Sequence, residues 1–433
     1  MKFRILALIG LLVVNGNAFA ENWAQWRGPF FNGSTTEKNL PETWSKTENV
    51  IWSVPMPGLS GATPIVWGDK VFMSTADAQK NLLLMCLDRK DGKVLWQQTV
   101  GFGDRPTDQK NNMASASPVT DGKMVWAMFG TGDLAAYDFS GKEIWKRNLG
   151  KDFGKLAHMW LYGASPLLYK DRLYISVLQR NPPTYAHALD DKPERESFLL
   201  CVDPKTGKDI WRQVRETDAL AESMESYATP LPYKGKKREE IIVVGGDYVT
   251  GHDPKSGKEL WRCGSLNAKK SQWWRIVTSP VAVDGFIFAS APKKEPLLAI
   301  KEGGNGDITE SHISWRLTEN TPDVCTPLVY KGKLFVLDGD KKVMTCLDPK
   351  TGKEIWRGDL GVREVFKSSP TGADDKIYCM SERGTVVVLS AGDEFKILSK
   401  IEMGDFPNRS SIVAAHGNLF IRTAETLYCI GKK

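Results

Sequence analysis

The chain has 433 residues, 41% of them hydrophobic, which is ample for a large core and by length alone would allow two or three domains. Lys and Arg number 58 against 52 Asp and Glu, a net charge of +6. That excess is small and its lysines are dispersed over turns instead of forming a stripe, which argues against a nucleic-acid partner.

In chain order the first element lies outside any fold. Lys2 and Arg4 precede an apolar run over residues 5–14, too short to span a bilayer, and Ala18-Phe19-Ala20 has the small-x-small pattern of a cleavage site. Residues 1–20 therefore read as a signal peptide, leaving Glu21 as the mature N-terminus. The first cysteine is Cys86, so no lipidation cysteine stands at the cleavage point. A periplasmic or secreted monomer without a transmembrane segment is expected. Residues 21–48, rich in Trp and Pro, are assigned to packing across the body that follows.

From residue 49 onward one short segment recurs. It reads Asp88-Arg-Lys-Asp-Gly-Lys-Val-Leu-Trp96, Asp203-Pro-Lys-Thr-Gly-Lys-Asp-Ile-Trp211, Asp253-Pro-Lys-Ser-Gly-Lys-Glu-Leu-Trp261 and Asp348-Pro-Lys-Thr-Gly-Lys-Glu-Ile-Trp356, with Asp138 to Trp145 one residue shorter. The aspartate side chain can accept from the amides ahead of it, proline presets φ, and glycine permits the positive φ where the chain reverses. The segment is thus a hairpin turn leading into a strand that carries tryptophan.

A second marker precedes each turn: a small residue, then Ser or Thr, then Pro. It occurs at Thr63-Pro64, Ser117-Pro118, Ser165-Pro166, Thr229-Pro230, Ser279-Pro280, Thr326-Pro327 and Ser369-Pro370, and Ser411-Ile412 is an eighth copy without proline. Proline is tolerated at the first residue of a strand, so these mark eight innermost strands. Trp315 and Trp356 stand 41 residues apart, room for four strands with tight turns. Repetition at this period predicts an all-β, eight-bladed β-propeller over residues 49–433, built from four-stranded antiparallel blades. The last blade lacks a fourth strand, which Asn49-Val-Ile-Trp52 supplies from the N-terminus. In blade seven something near Leu398 takes the tryptophan position. Trp52, Trp96, Trp145, Trp211, Trp261, Trp315 and Trp356 are read as structural docking groups filling the wedge between blades.

Seven cysteines in an exported chain invite a disulfide reading, but Cys86, Cys201, Cys346 and Cys429 occupy equivalent blade positions, too far apart to bridge. They read as small buried strand residues, with Cys325 and Cys379 an open possibility for a pair. Five histidines, His158, His187, His252, His312 and His416, have no metal-ligand spacing, and no phosphate-binding loop or nucleophile elbow is present. Gly303-Gly-Asn-Gly-Asp307 stands where other blades have a hairpin turn and is read as one.

With these residues in view, the chain resembles the quinoprotein-like propellers that carry the tryptophan-docking repeat, a group running from PQQ-dependent alcohol dehydrogenases to BamB-type outer-membrane assembly factors. The resemblance covers residues 50–433. Asn22-Trp-Ala-Gln-Trp-Arg-Gly-Pro29, Gly303 to Glu310 and Arg422-Thr-Ala-Glu-Thr-Leu-Tyr-Cys429 look like an exported PQQ-binding-like branch. The resemblance implies the fold, and implies the quinone only by name. The adjacent cysteine pair of the dehydrogenases is absent here, as is the haem-binding Cys-x-x-Cys-His.

In a four-stranded meander the A-B and C-D turns share one face of the disc, and the B-C and D-A loops share the other. The short turns make the first face tight and lysine-studded. The D-A loops are long and carry Arg105, Asn111 and Asn112; Trp160 and Tyr162 after His158; Glu225; Trp273, Trp274 and Arg275; Asp323; Arg363; and Asn408 with Arg409. The 66 residues between Trp145 and Trp211 add an insertion over residues 179–197 on that face. These groups are expected to converge on a funnel that takes a protein or glycan of the cell envelope, with no catalytic residue, metal or cofactor. The alternative is a PQQ-dependent oxidoreductase, with calcium, acting on an alcohol or sugar.

Overall fold

The computed structural model describes residues 21–103, 110–184, 190, 192 and 194–432. The signal peptide expected over residues 1–20, Arg105 and His187 lie outside the described residues.

Eight blades of four antiparallel strands form the propeller among the described residues, blades 1 to 8 spanning residues 65–102, 119–148, 167–214, 231–263, 281–317, 328–359, 371–402 and 413–430, and blade 4 carries a fifth strand. Blade 6 is representative: Leu328–Tyr330, Lys333–Asp338, Val343–Leu347 and Glu354–Asp359 pair in chain order from the axis outward. In blade 8 Val413–Ala415, Asn418–Arg422 and Thr426–Ile430 are completed on the outside by Val50–Pro55, with Trp52 opposite Cys429. The first and last strands of the propeller thus share one sheet, which closes the ring.

Across strands B, C and D of each blade one row of side chains repeats: a ring, a small residue, a tryptophan. In blade 6 the row is Phe335, Cys346 and Trp356; in blade 1 it is Phe72, Cys86 and Trp96; in blade 8 it is Phe420, Cys429 and Trp52. Ring centroids of the outer pair stand 5.7, 5.9 and 6.1 Å apart. Cysteine recurs at the middle position because the indole must lie across it. All seven cysteines are buried and unbridged, including Cys325 and Cys379.

The far side of each indole rests on the C-D turn of the next blade. A Cβ on Gly92, Gly141, Gly207, Gly257 or Gly352 would stand 2.5–2.8 Å from the rings of Trp52, Trp96, Trp145, Trp211 and Trp315 respectively, and each glycine has positive φ. The repeated glycine therefore serves the reversal and leaves a seat for the indole. The indole N–H groups of Trp52, Trp96, Trp145 and Trp315 donate to the carbonyls of Arg89, Phe139, Pro204 and Pro349, the residue after each turn aspartate, at 2.8–3.1 Å. The aspartates accept as the sequence implies: Asp348 Oδ1 takes the amides of Lys350 and Thr351.

Two blades depart from this row. Residues 303–307 are not the hairpin turn expected of them: Gly306–Asp307 forms a fifth strand on the outside of blade 4, parallel to Trp261–Arg262. Blade 5 accordingly offers no glycine seat. Trp261 folds onto its own blade, over Gly251, and its indole N–H donates to the buried carboxylate of Glu240 at 2.8 Å. In blade 7 the tryptophan position falls on Ser399, opposite Val388, one residue beyond Leu398. Trp44 from the N-terminal segment fills the vacancy, buried against Tyr378 with ring centroids 6.3 Å apart.

At the axis, the Ser or Thr of every strand marker accepts from the backbone N–H of the equivalent residue one blade earlier. Thr63 donates its amide to Ser117, Ser117 to Ser165, Ser165 to Thr229 and Thr229 to Ser279, at 2.9–3.0 Å. Ser279 donates to Thr326, Thr326 to Ser369, Ser369 to Ser411, and Ser411 back to Thr63, at 3.0–3.2 Å. The eight bonds close a ring. Proline can follow each marker because the donor used is that of the preceding residue.

Residues 21–48 cross the short-turn face. Trp23 exchanges two backbone hydrogen bonds with Val66 of blade 1, Ala24 accepts from Thr120 of blade 2, and Asn32, Gly33 and Glu37 accept from Val329, Gly372 and Asp374 of blades 6 and 7. Between them Arg27 is buried at the axis, its guanidinium donating to the carbonyls of Pro327 and Pro370.

Candidate functional site: an axial funnel on the long-loop face

The D-A loops lead into the inner strands, so the ring of hydroxyls lies at the base of the long-loop face. Above it opens a cavity of about 400 Å³. Ser117, Ser165, Thr229, Ser369 and Ser411 of the ring line its base, and Trp26 of the crossing segment closes its floor. Its walls carry Lys110, Asn111, Trp160, Tyr227, Arg275, Asp323, Lys367, Glu382 and Arg409, softened by Val277 and Val324. A second cavity of about 440 Å³ shares Gly61, Lys110, Asn111, Ser115, Glu382 and Arg409 with the first and continues to Leu59, Phe406 and Pro407. The two form one groove from the axis to the rim near blades 8 and 1.

One wall is a continuous polar network. Glu225, fully buried, accepts from Arg180 Nε at 2.8 Å, from the Met159 amide and from the Tyr227 hydroxyl. Burial pushes its carboxyl pKa up, and those three donors pull against that. Tyr227 in turn accepts from the Trp160 amide, while the Trp160 indole donates to Glu222 at 2.9 Å. Arg275 lies 3.7 Å from Glu222 and makes a two-pronged pair with Asp323 at 3.0 and 3.2 Å. Burial alone would lower the Arg275 pKa, but Asp323 and Glu222 outweigh it and hold it above its ordinary value. Opposite, Arg409 pairs with Glu382 at 2.9 Å, Lys367 with Asp340 at 2.6 Å, and Lys110 lies 4.0 Å from the centroid of the Trp160 ring. A network so fully paired is rigid, and a ligand meets positioned groups instead of having to order them.

Of the residues singled out from the sequence, Trp160, Arg275, Asp323 and Arg409 line the axial cavity, Asn112 lines the lateral one and Asn111 lines both. Glu225 stands behind the wall and positions Tyr227 and Arg180. The others belong elsewhere. Tyr162 is buried in the core, donating to the Ser176 carbonyl; Asn408 is buried, donating to the Gly404 carbonyl and accepting from the Ala424 amide. Trp273 is 55% exposed, Arg363 is exposed, and Trp274 contributes its amide to Ser223 instead of a ring to the funnel. Alternation cannot tell which loop side chain turns inward, so Trp160 and Tyr162 look alike in sequence and differ in place. Sequence reasoning missed Lys110, Lys367 and Glu382. It also missed Trp26, and the hydroxyls, which it read as strand markers alone.

Among the described residues no group of three or more His, Cys, Asp or Glu is arranged to hold a metal ion, and no helix is long and apolar enough to cross a membrane.

The model of one protein family, described as outer membrane protein assembly factor BamB, matches residues 35–181, 184–323 and 310–394. No curated protein matches the sequence. Solved structures share the fold at low identity. BamB from Moraxella catarrhalis is 12% identical, with a TM-score of 0.61 over 89% of this chain and 97% of that one. A quinohemoprotein alcohol dehydrogenase from Comamonas testosteroni is 11% identical, with a TM-score of 0.63 over 95% and 81%. A europium-containing methanol dehydrogenase is 11% identical, with a TM-score of 0.65 over 94% and 90%.

Proposed function

Because the chain belongs to the family of outer membrane protein assembly factor BamB, we propose that it is a non-catalytic, extracytoplasmic propeller that holds a protein or glycan partner of the cell envelope through its long-loop face. One observation carries this reading: the axial cavity and its lateral extension open on that face, while residues 21–48 cover the axis on the other. Arg and aromatic groups on the groove are side chains that dominate binding energetics at interfaces.

The structural likeness to two dehydrogenases favours a second reading, a quinone-dependent oxidoreductase using PQQ with calcium. The donor set does not suit the metal half of that pair. Asp323 and Glu382, the carboxylates facing the cavity, are held by Arg275 and Arg409. A calcium ion needs six to eight oxygen ligands free of such cations.

Partner retention by the purified protein from a cell-envelope extract tests the first reading. Arg275→Gln and Arg409→Gln should each weaken retention about tenfold or more, as loss of one charged contact does, with the melting temperature shifted by a few degrees. Lys205→Glu and Lys350→Glu, on the short-turn face, should leave retention intact. The reverse pattern would overturn the assignment of the face. Dye reduction with alcohols or sugars on adding PQQ and calcium would establish the second reading instead.

A further inference from the structure

The segment that crosses the short-turn face begins at a carboxylate suited to a charged amine. Glu37 is 7% exposed, and both of its carboxylate oxygens accept from backbone nitrogens: Oε1 from Glu21 at 2.5 Å and Oε2 from Gly417 of blade 8 at 2.7 Å. Among the described residues no lysine, arginine or histidine side chain pairs with it. The imidazole of His416 feels this carboxylate, but burial and the charge of Arg89 outweigh it and hold the pKa below its ordinary value, and its Nε2 lies 3.0 Å from Asn22 Oδ1. A second carboxylate belongs to Glu21 itself, whose Oε2 accepts from Thr35 Oγ1 at 2.6 Å and from the Thr36 amide and hydroxyl at 2.8 and 3.0 Å. Two carboxylates therefore meet at the start of the segment with no side-chain cation among the described residues to offset them, a costly arrangement once one of them is buried.

As a peptide N–H the Glu21 nitrogen supplies one neutral donor. The pattern Ala18-Phe19-Ala20 places leader cleavage at the bond that ends on this same nitrogen. Hydrolysis of the Ala20–Glu21 bond by a leader peptidase consumes one water, leaves a carboxylate on Ala20 and gives Glu21 a free amine that is protonated near neutral pH. We propose that Glu37 is the seat of this processed N-terminus, so that removal of the leader creates a charge-assisted ion pair and locks the crossing segment. Asn22 Oδ1 accepts from the Gly68 amide and Trp23 pairs with Val66, both of blade 1, while the Glu37 carbonyl accepts from Asp374 of blade 7. The pair thus joins the two ends of a loop whose middle sets Trp26 on the floor of the funnel and Arg27 at the axis. The proposal rests on the leader reading of residues 1–20 and is independent of what the long-loop face binds.

The test exports the full precursor and identifies the mature terminus by mass spectrometry, with Glu21 the expected first residue. In the folded mature protein its α-amine should be acylated near pH 7 at least about tenfold more slowly than in Glu37→Gln, because only the unprotonated amine reacts and a carboxylate partner keeps it protonated. A chain that retains Ala20 carries its charge one residue away and should melt several degrees lower than the mature protein. That loss should vanish when Ala20 is retained in Glu37→Gln, where no carboxylate is left to pair. A mature terminus other than Glu21, or equal acylation in the mature protein and Glu37→Gln, would overturn the proposal. An equal loss from Ala20 in both backgrounds would overturn it as well, since crowding by the extra residue would then account for the effect. Should Glu37→Gln fail to fold, the chain retaining Ala20 decides, and a melting temperature equal to that of the mature protein counts against the seat.

Discussion

A tryptophan in this ring is held by what the next blade offers it, and the glycine of the C-D turn is the larger part of that offer. Gly352 and Gly332 both belong to blade 6 and both have φ near +70°, yet a Cβ at Gly352 would meet Trp315 at 2.6 Å while a Cβ at Gly332 would meet nothing within 4 Å among the described residues. Gly332→Ala should therefore cost about 1 kcal/mol, the backbone effect alone. Gly352→Ala adds overpacking and should cost about 2–4 kcal/mol, with a shift in tryptophan emission. Equal melting temperatures for the two variants would remove the seat from the account. His252 makes a second prediction. Arg215 donates to Thr250, whose hydroxyl lies 2.9 Å from His252 Nε2, and His252 Nδ1 donates to the Gly257 carbonyl; burial, with the charge of Arg215 close by, disfavours a second proton on the imidazole. Burial lowers its pKa to about 4. The unfolded chain takes up a proton near pH 6.5 and the folded one does not, so the stabilisation is complete above that pH and is lost as pH falls toward 4. The loss should reach about 3 kcal/mol and be absent in His252→Gln. Chemical denaturation at pH 7 and pH 4.5 measures it, and an equal pH dependence in both proteins would contradict the buried neutral imidazole.

At the scale of elements, the repeat was legible because turn chemistry and strand period recur together. The Asp-Pro-Lys-Thr-Gly-Lys segments locate the C-D hairpins, and the Ser/Thr-Pro markers locate the inner strands. Two elements were not legible. Residues 303–307 have the glycine content of a turn, and only the neighbouring blade shows that Gly306–Asp307 extends its sheet. Trp44 reaches its place against Tyr378 by a contact with no local signature. The hydroxyl ring makes a prediction of its own. Ser165→Ala leaves the buried amide of Ser117 without an acceptor and should cost about 1–3 kcal/mol. Ser165→Thr should be close to neutral, since Thr63, Thr229 and Thr326 already fill equivalent places. Equal melting temperatures for the alanine and threonine variants would show that the bond contributes nothing.

The whole molecule is a closed ring with two unlike faces, and its ends meet in blade 8. Val50–Pro55 is the outer strand there, and Trp52 both packs on Phe420 and rests on Gly92 of blade 1. Replacing Ile51 to Val54 with a flexible Gly-Ser stretch should expose the outer edge of Thr426–Ile430 and lower the melting temperature sharply or cause aggregation. The funnel was partly legible: that D-A loops converge follows from topology, whereas which side chains turn inward depends on packing behind them, as Glu225 behind Tyr227 shows. The partner site proposed above lies on the long-loop face. Site-specific photo-crosslinking in the cell envelope tests it most directly, with the probe placed in turn at Asn111, at Lys367, at Lys205 and at Lys350. The same discrete adduct is expected from Asn111 and Lys367, and none from the two short-turn positions. An adduct from Lys205 or Lys350 with none from the funnel would contradict it.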